Sequence, residues 1–296
     1  MIKKNSLADY PLVVVFGDTH IGSLVALAPP NYQFRRKGQE VHIQASILQQ
    51  WIYAQWVKDW NLVYGLITDG NDKKIRDLYL VHLGDVIEGS HHQDTEVFSN
   101  NTEEQLMVAR PLMAQQWSWA DHKVLIYGTT EHEGKNNESS IRYADMINAD
   151  VNDQAYNLIL PNDVIFNLSH HATSAMTTLN NITKDSHKPE GLLPRYAVRG
   201  HKHVVDDTGE KYSYTRAIIA PCWQARTGYA WKVANDNRAD IGMVIYDSKT
   251  DQVKITRHYS KEVSSGRPKL HRLGLGKPIE RYPEEIRSDR GRQRTK

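Results

Sequence analysis

The chain has 296 residues, 40% hydrophobic and 24% charged, enough for one large α/β domain with a sizeable core. A formal charge of +2 excludes a strongly basic or acidic protein, yet residues 261–296 hold eleven Lys/Arg against five Asp/Glu, a net +6 that leaves −4 on the rest. The lone Cys222 excludes an intrachain disulfide and fits a reducing compartment, and no run reaches the ~20 apolar residues of a membrane span.

Lys3, Lys4, Asn5, Ser6 and Asp9 form no apolar leader, so a cytoplasmic protein is expected, encoded by a cell or a phage. Leu12–Phe16 reads as a buried strand that runs into Gly17-Asp18-Thr19-His20. From Gln44 to Asn61, the spacing of Ile47, Trp51, Ala54 and Trp56 predicts a core-facing helix, with Trp51, Trp56 and Trp60 as core. Leu78–Leu83 is the next strand, ending at Gly84-Asp85. Glu103–His122 predicts a second helix, capped by Asn101 or Thr102 and broken or kinked at Pro111. Val124–Tyr127 is a strand that leads into Gly128-Thr129-Thr130-Glu131-His132-Glu133-Gly134, and Ser139–Asn148 is a third helix. Val164–Leu168 precedes His170-His171, and Tyr196–Val198 precedes Gly200-His201-Lys202-His203. Ala217–Ala220 follows as a further strand. Ile241–Tyr246 and Gln252–His258 then flank the turn Asp247-Ser248-Lys249-Thr250-Asp251 as a hairpin. Strands alternating with helices argue for an α/β fold. The expected domains are 1–263 and a basic extension, 264–296, rich in Gly and Pro.

Five successive strand ends carry Asp, His or Glu. The C-terminal edge of one sheet would gather Asp18, His20, Asp85, His170, His201 and His203 in one crevice, where α/β sheets place function. Without a cation such a crowd is costly in repulsion and desolvation. Mixed nitrogen and oxygen ligands without thiolate suit divalent Mn, Fe, Co, Ni or Zn. Six ligands exceed what one catalytic zinc uses, so two ions sharing a carboxylate fit better. No Ser or Cys sits in a nucleophile elbow.

The order Asp-x-His, Gly-Asp, a Gly-to-His segment, a strand-end His and Gly-His-x-His, over residues 12–220, resembles the calcineurin-like metallophosphoesterases. The resemblance implies an α/β, metallophosphoesterase-type β-sandwich flanked by helices, with the active site at the C-terminal edges of strands. It also implies hydrolysis of a phosphate ester by a hydroxide activated on two divalent transition metal ions (Mn, Fe, Zn, Co or Ni). Carried over by position, Asp18, His20 and His203 hold the first ion, Asp85 bridges, and His170 and His201 hold the second. His170 is preferred to His171 because the family's ligand opens the loop. His132 is then the catalytic histidine, working beside Asp85, with Glu133 orienting its ring.

The third block departs from the family's Gly-Asn-His. Either Thr129 replaces the Asn ligand or a two-residue insertion brings Glu131 there. That block, and the stretch Gly84 to His92, resemble a phage-encoded branch; His91 and His92 are read either as a solvated loop pair, the favoured reading, or as groups that reach the substrate phosphate from that loop. The favoured substrate is accordingly a nucleic-acid phosphodiester, DNA or RNA, which the basic tail also suits. A protein phosphatase or a small-nucleotide phosphodiesterase uses the same metal core. A non-catalytic nucleic-acid-binding protein on a decayed scaffold is the rival from another class, and joint retention of Asp18, His20, Asp85, His201 and His203 stands against it. No membrane partner is expected, and the sequence leaves the oligomeric state open.

Overall fold

The computed structural model describes residues 10–90, 96–186, 193–210, 214–227 and 239–258. The chain divides into two units, Met1–Tyr259 and Ser260–Lys296, and all described residues belong to the first. His91, His92 and the basic tail therefore lie outside the described residues.

Two mixed sheets form the centre. The first has six strands: β1 (Leu12–Phe16), β4 (Leu78–His82), β5 (His122–Ile126), β6 (Val151–Asp153), β12 (Val244–Asp247) and β13 (Gln252–Ile255), in the order β13-β12-β1-β4-β5-β6. The second has five: β7 (Ala155–Ile159), β8 (Ile165–Ser169), β9 (Tyr196–Arg199), β10 (Asp206–Asp207) and β11 (Arg216–Ile219), in the order β10-β11-β9-β8-β7. β1, β4 and β5 run parallel, as do β8 and β9, so within each group the C-terminal ends share an edge. A separate hairpin joins β2 (Asn31–Arg36) to β3 (Gln39–Gln44).

Alternation along the strands decides what each face meets. Val13, Val15, Val81, Val124 and Ile126 of the first sheet share one core with Phe166, Leu168, Tyr196, Val198 and Ile218 of the second. This is sheet-on-sheet packing, a β-sandwich. On the outer side of β1, Phe16 meets Trp56 and Trp60 edge-on at 5.5 and 5.7 Å. Both tryptophans lie on α1 (Ile47–Ile67), which opens with a capping box between Ser46 and Gln49. Beside it runs α2 (Thr102–Trp119), capped by Asn101, with Glu103 and Glu104 in its positive first turn. The third helix read from the sequence is α4 (Glu138–Ile147), which packs on α2. On the outer face of the second sheet, Ala175 and Leu179 of α5 (Ala175–Ser186) pack on Ala197, Ala217 and Ile219. The fold is α/β, two mixed sheets flanked by helices.

The structure adds β6, β7, β10 and α5, which the sequence reading did not include, and departs from it at three further points. Pro111 sits inside α2 without ending it. The β2–β3 hairpin carries only two buried apolar residues on its first strand, Tyr32 and Phe34, too few to register as a strand signal. Most important, the candidate ligands follow strands of two facing sheets, not of one. No helix among the described residues is long and apolar enough to cross a membrane.

Candidate metal centre

The loops after β1 and β4 stay paired beyond the strands. Asp18 N donates to Gly84 O (2.9 Å), His20 N to Asp85 O (3.0 Å) and Ile21 N to Val86 O (3.0 Å). Asp18 and His20 thus stand beside Asp85. The second sheet reaches the same place from the other side: Gly200 N donates to His170 O, and His201 N donates to both Asp18 carboxylate oxygens at 3.1 and 3.0 Å. Close approach forces the glycines. A Cβ on Gly200 would lie 2.8 Å from Asp18 Oδ2, and Gly84 has φ +95° with Gly128 Cα only 2.6 Å from where a Cβ would sit.

Two triads result. Asp18, His20 and His203 bring one ligand atom each within 4.8 Å of one another, as do Asp85, His170 and His201. In the first, His203 Nε2 lies 3.2 Å from Asp18 Oδ1 and 3.1 Å from His20 Nε2. In the second, His170 Nε2 lies 3.1 Å from Asp85 Oδ2. Asp85 Oδ2 is also 3.8 Å from His20 Nε2, so one carboxylate oxygen stands between the triads. All six residues that the sequence singled out as ligands are brought together. Five of them, Asp18, His20, Asp85, His201 and His203, have φ between 43° and 72°, a left-handed backbone that costs energy and clusters at working sites.

These residues suit a pair of cations. His170 donates from Nδ1 to Leu83 O at 2.6 Å, which turns the Nε2 lone pair inward. Among the described residues that buried Nε2 has no hydrogen-bond partner although it faces Asp85, as two ligand atoms turned toward one ion would. The charge balance points the same way. Burial alone would raise the Asp18 carboxyl, but His20 and His203 hold it well below the usual carboxylate range. Burial would likewise lower His20 and His170, yet Asp18 and Glu88 raise the first to about 9 and Asp85 raises the second to about 10. The imidazoles recruit protons because the buried carboxylates demand positive charge.

The altered third block forms the short helix α3 (Thr130–Glu133) with Thr129 at its N-cap position. Thr129 donates to Asp85 Oδ1 from both its backbone N (2.7 Å) and its Oγ1 (3.1 Å). Glu131 is exposed and outside both triads. Glu133 does not orient His132 as expected: its two oxygens accept from Asp85 N (2.9 Å) and Gly128 N (2.8 Å). Neighbouring residues on a helical turn point in different directions, which separates the two side chains. Burial and the charge of Asp85 raise Glu133 to about 7. His132 instead bonds through Nδ1 to the Glu88 carbonyl at 2.6 Å, with Nε2 3.9 Å from Asp85 Oδ2. Burial, reinforced by His20, lowers His132 to about 4.

Two supports escaped the sequence reading, Glu88 and His82. Glu88 lies 3.0 Å from His20 Nδ1 and accepts from Gln224 Nε2 at 2.6 Å. It stands three residues after Asp85, and its only sequence signal was a carboxylate in a strand-end loop. His82 hid inside an apolar strand. Its Nδ1 accepts from Gly84 N (3.1 Å), so Nε2 carries the proton and donates to Thr19 Oγ1 (3.1 Å), which donates to Val86 O (2.8 Å). His171, which the sequence placed second to His170, is exposed, with its ring 5.2 Å from those of His170 and His201.

No family model and no curated protein matches the sequence. Solved structures do. An archaeal phosphodiesterase matches at 9% identity and TM-score 0.37, over 83% of this chain and 99% of its own. A conserved uncharacterised protein of Streptococcus pneumoniae, a predicted phosphoesterase, matches at 10% and 0.33, over 80% and 83%. A metallophosphoesterase of Sphaerobacter thermophilus matches at 10% and 0.38, over 90% and 99%. Identities and scores this low carry no activity across, so the chemistry has to be read from the side chains.

Proposed function

We propose that the chain is a dinuclear metal-dependent phosphoesterase, with a nucleic-acid phosphodiester as its favoured substrate. The observation that carries the reading is Asp85 Oδ2, held between a triad of Asp18, His20 and His203 and a pair of histidines, His170 and His201. Asp18, His20 and His203 would hold one divalent transition ion and His170 and His201 the other, with Asp85 shared. Two such ions supply Lewis acidity toward phosphoryl oxygens and an activated water.

The chain's own groups do the rest. Thr129 and Glu133 fix Asp85, one through its carboxylate and the other through its backbone N–H. The bond from His132 Nδ1 to Glu88 O turns Nε2 toward Asp85 and the site. A bound anionic ester favours the charged imidazole, so Nε2 then carries a proton to give to a phosphoryl or leaving oxygen. Nucleic acid is favoured because residues 261–296 bring a net +6 to meet a polyanion.

The test compares bis(p-nitrophenyl) phosphate, p-nitrophenyl phosphate and DNA or RNA, after chelation and with each metal restored. Activity should vanish in chelator, return with Mn or another transition ion better than with Ca, and favour diesters. Full turnover by protein stripped of all metal would end the reading.

A further inference from the structure

The two ions of the proposed centre are not served alike. The first would have Asp18, His20 and His203 to itself, besides a share in Asp85. The second would have only His170 and His201 beside the shared carboxylate. The third block adds little to it: Thr129 turns its Oγ1 hydrogen to Asp85 Oδ1 at 3.1 Å, and Glu131 is exposed and outside the triads.

An unassigned imidazole stands on this poorer side. His171 directly follows His170, is exposed, and has no hydrogen-bond or ion-pair partner for its ring nitrogens among the described residues. Its ring centre lies 5.2 Å from that of His170 and 5.2 Å from that of His201, and those two are 5.2 Å apart as well. The three rings therefore form an equilateral triangle, meeting at 82°, 67° and 62° and not stacked. Imidazoles bound to one ion through nitrogens at about 2.0–2.1 Å, at near-tetrahedral angles, have ring centres roughly 5 Å apart. The triangle has that spacing.

As it stands, His171 is not among the residues whose ligand atoms lie within 4.8 Å of one another. A half-turn about its Cβ–Cγ bond leaves the ring centre in place and exchanges the nitrogens with carbons. Terminal torsions of this kind are broad and two-fold, so an imidazole with no partner to give up makes the turn at little cost.

We propose that His171 is a third histidine ligand of the second ion, supplying from the end of β8 the donor that the third block lacks. The proposal rests on the dinuclear reading above. Three imidazoles with one shared carboxylate favour Zn, Fe or Ni at this position over Mn, whose preferred donors are oxygens.

The experiment is calorimetric titration of the metal-free full chain with zinc chloride, in wild type, His171→Ala and His170→Ala. Beside it, the carbethoxylation of His171 by diethyl pyrocarbonate is read by peptide mass spectrometry with and without zinc. His171→Ala should bind the first ion as wild type does and the second about 10–100-fold more weakly, at least the worth of a group that supports a ligand. Zinc should shield His171 of the wild type from the reagent, which a purely structural residue at an exposed position would not show. Second-ion affinity within about twofold of wild type in His171→Ala would overturn the proposal. So would equal modification of His171 with and without zinc, or an effect confined to KM for a phosphodiester, which would make His171 a substrate contact. Two ions held undiminished by His170→Ala would instead count against the dinuclear reading itself.

Discussion

His170 Nε2 faces Asp85 Oδ2 across 3.1 Å, and the two residues follow strands of different sheets. A centre built this way depends on the sandwich as a whole. Removing the imidazole leaves Asp85 buried with less to balance its charge. His170→Ala should therefore weaken binding of one ion by more than about 100-fold, since groups that merely support metal ligands are already worth 10–100-fold. Metal counting by mass spectrometry should find about one ion per chain in place of two. Two ions retained in the variant would exclude His170 as a ligand.

The third block separates into three roles. His132→Ala should lower kcat by about 10²–10⁴ with metal content intact, the usual worth of a positioned acid–base group. Glu131→Ala, exposed and outside both triads, should keep both metal and activity. Thr129→Ala removes only the Oγ1 bond to Asp85 and keeps the backbone one, so its loss should be smaller than that of His132→Ala. Should Glu131→Ala lose an ion, the insertion reading of this block is right and the assignment of Thr129 as a support for Asp85 is wrong.

His82 makes stability depend on pH. Burial depresses it to about 3, against about 6.5 in an unfolded chain. Between those values the unfolded chain binds the extra proton, so stability is full above about 6.5 and falls as pH drops toward 3. At pH 5 the loss from this one group is about 2 kcal/mol. Urea denaturation at pH 7 and pH 5 should show a smaller acid loss in His82→Gln than in wild type. Equal losses would mean that His82 titrates normally in the fold.

Gly200→Ala tests how closely the sheets meet. Its Cβ would stand 2.8 Å from Asp18 Oδ2 and 3.2 Å from His170 Nδ1, forcing one or both ligands to shift. The expected result is a folded protein with reduced metal content at the position of Asp18. Native metal content would show that the two sheets can separate by a few tenths of an ångström without cost.

The strands and the ligands at their ends were legible because buried parallel strands are continuous apolar runs, and the runs stop where the ligands begin. Leu12–Phe16 followed by Asp18, and Tyr196–Val198 followed by His201, needed no more than that. The residues alone suggested one sheet, and the sandwich entered only with the family resemblance. Pairing across sheets was not legible. Asp18 and His203 are 185 residues apart, and nothing local says that they share an ion. The supports were hidden for a different reason. His82 sits where a core residue belongs, and Glu133 spends both oxygens on backbone N–H groups, a use that leaves no pattern in side-chain spacing.

The left-handed backbone at Asp18, His20, Asp85, His201 and His203 sets activity against robustness. At about 1 kcal/mol each, five such residues hold about 5 kcal/mol, comparable to the whole net stability of a modest domain. Glycine would relax each position and abolish a ligand in the same step. Selection for heat resistance alone would thus draw these five positions toward Gly, leaving a sturdier sandwich with no chemistry at its edge.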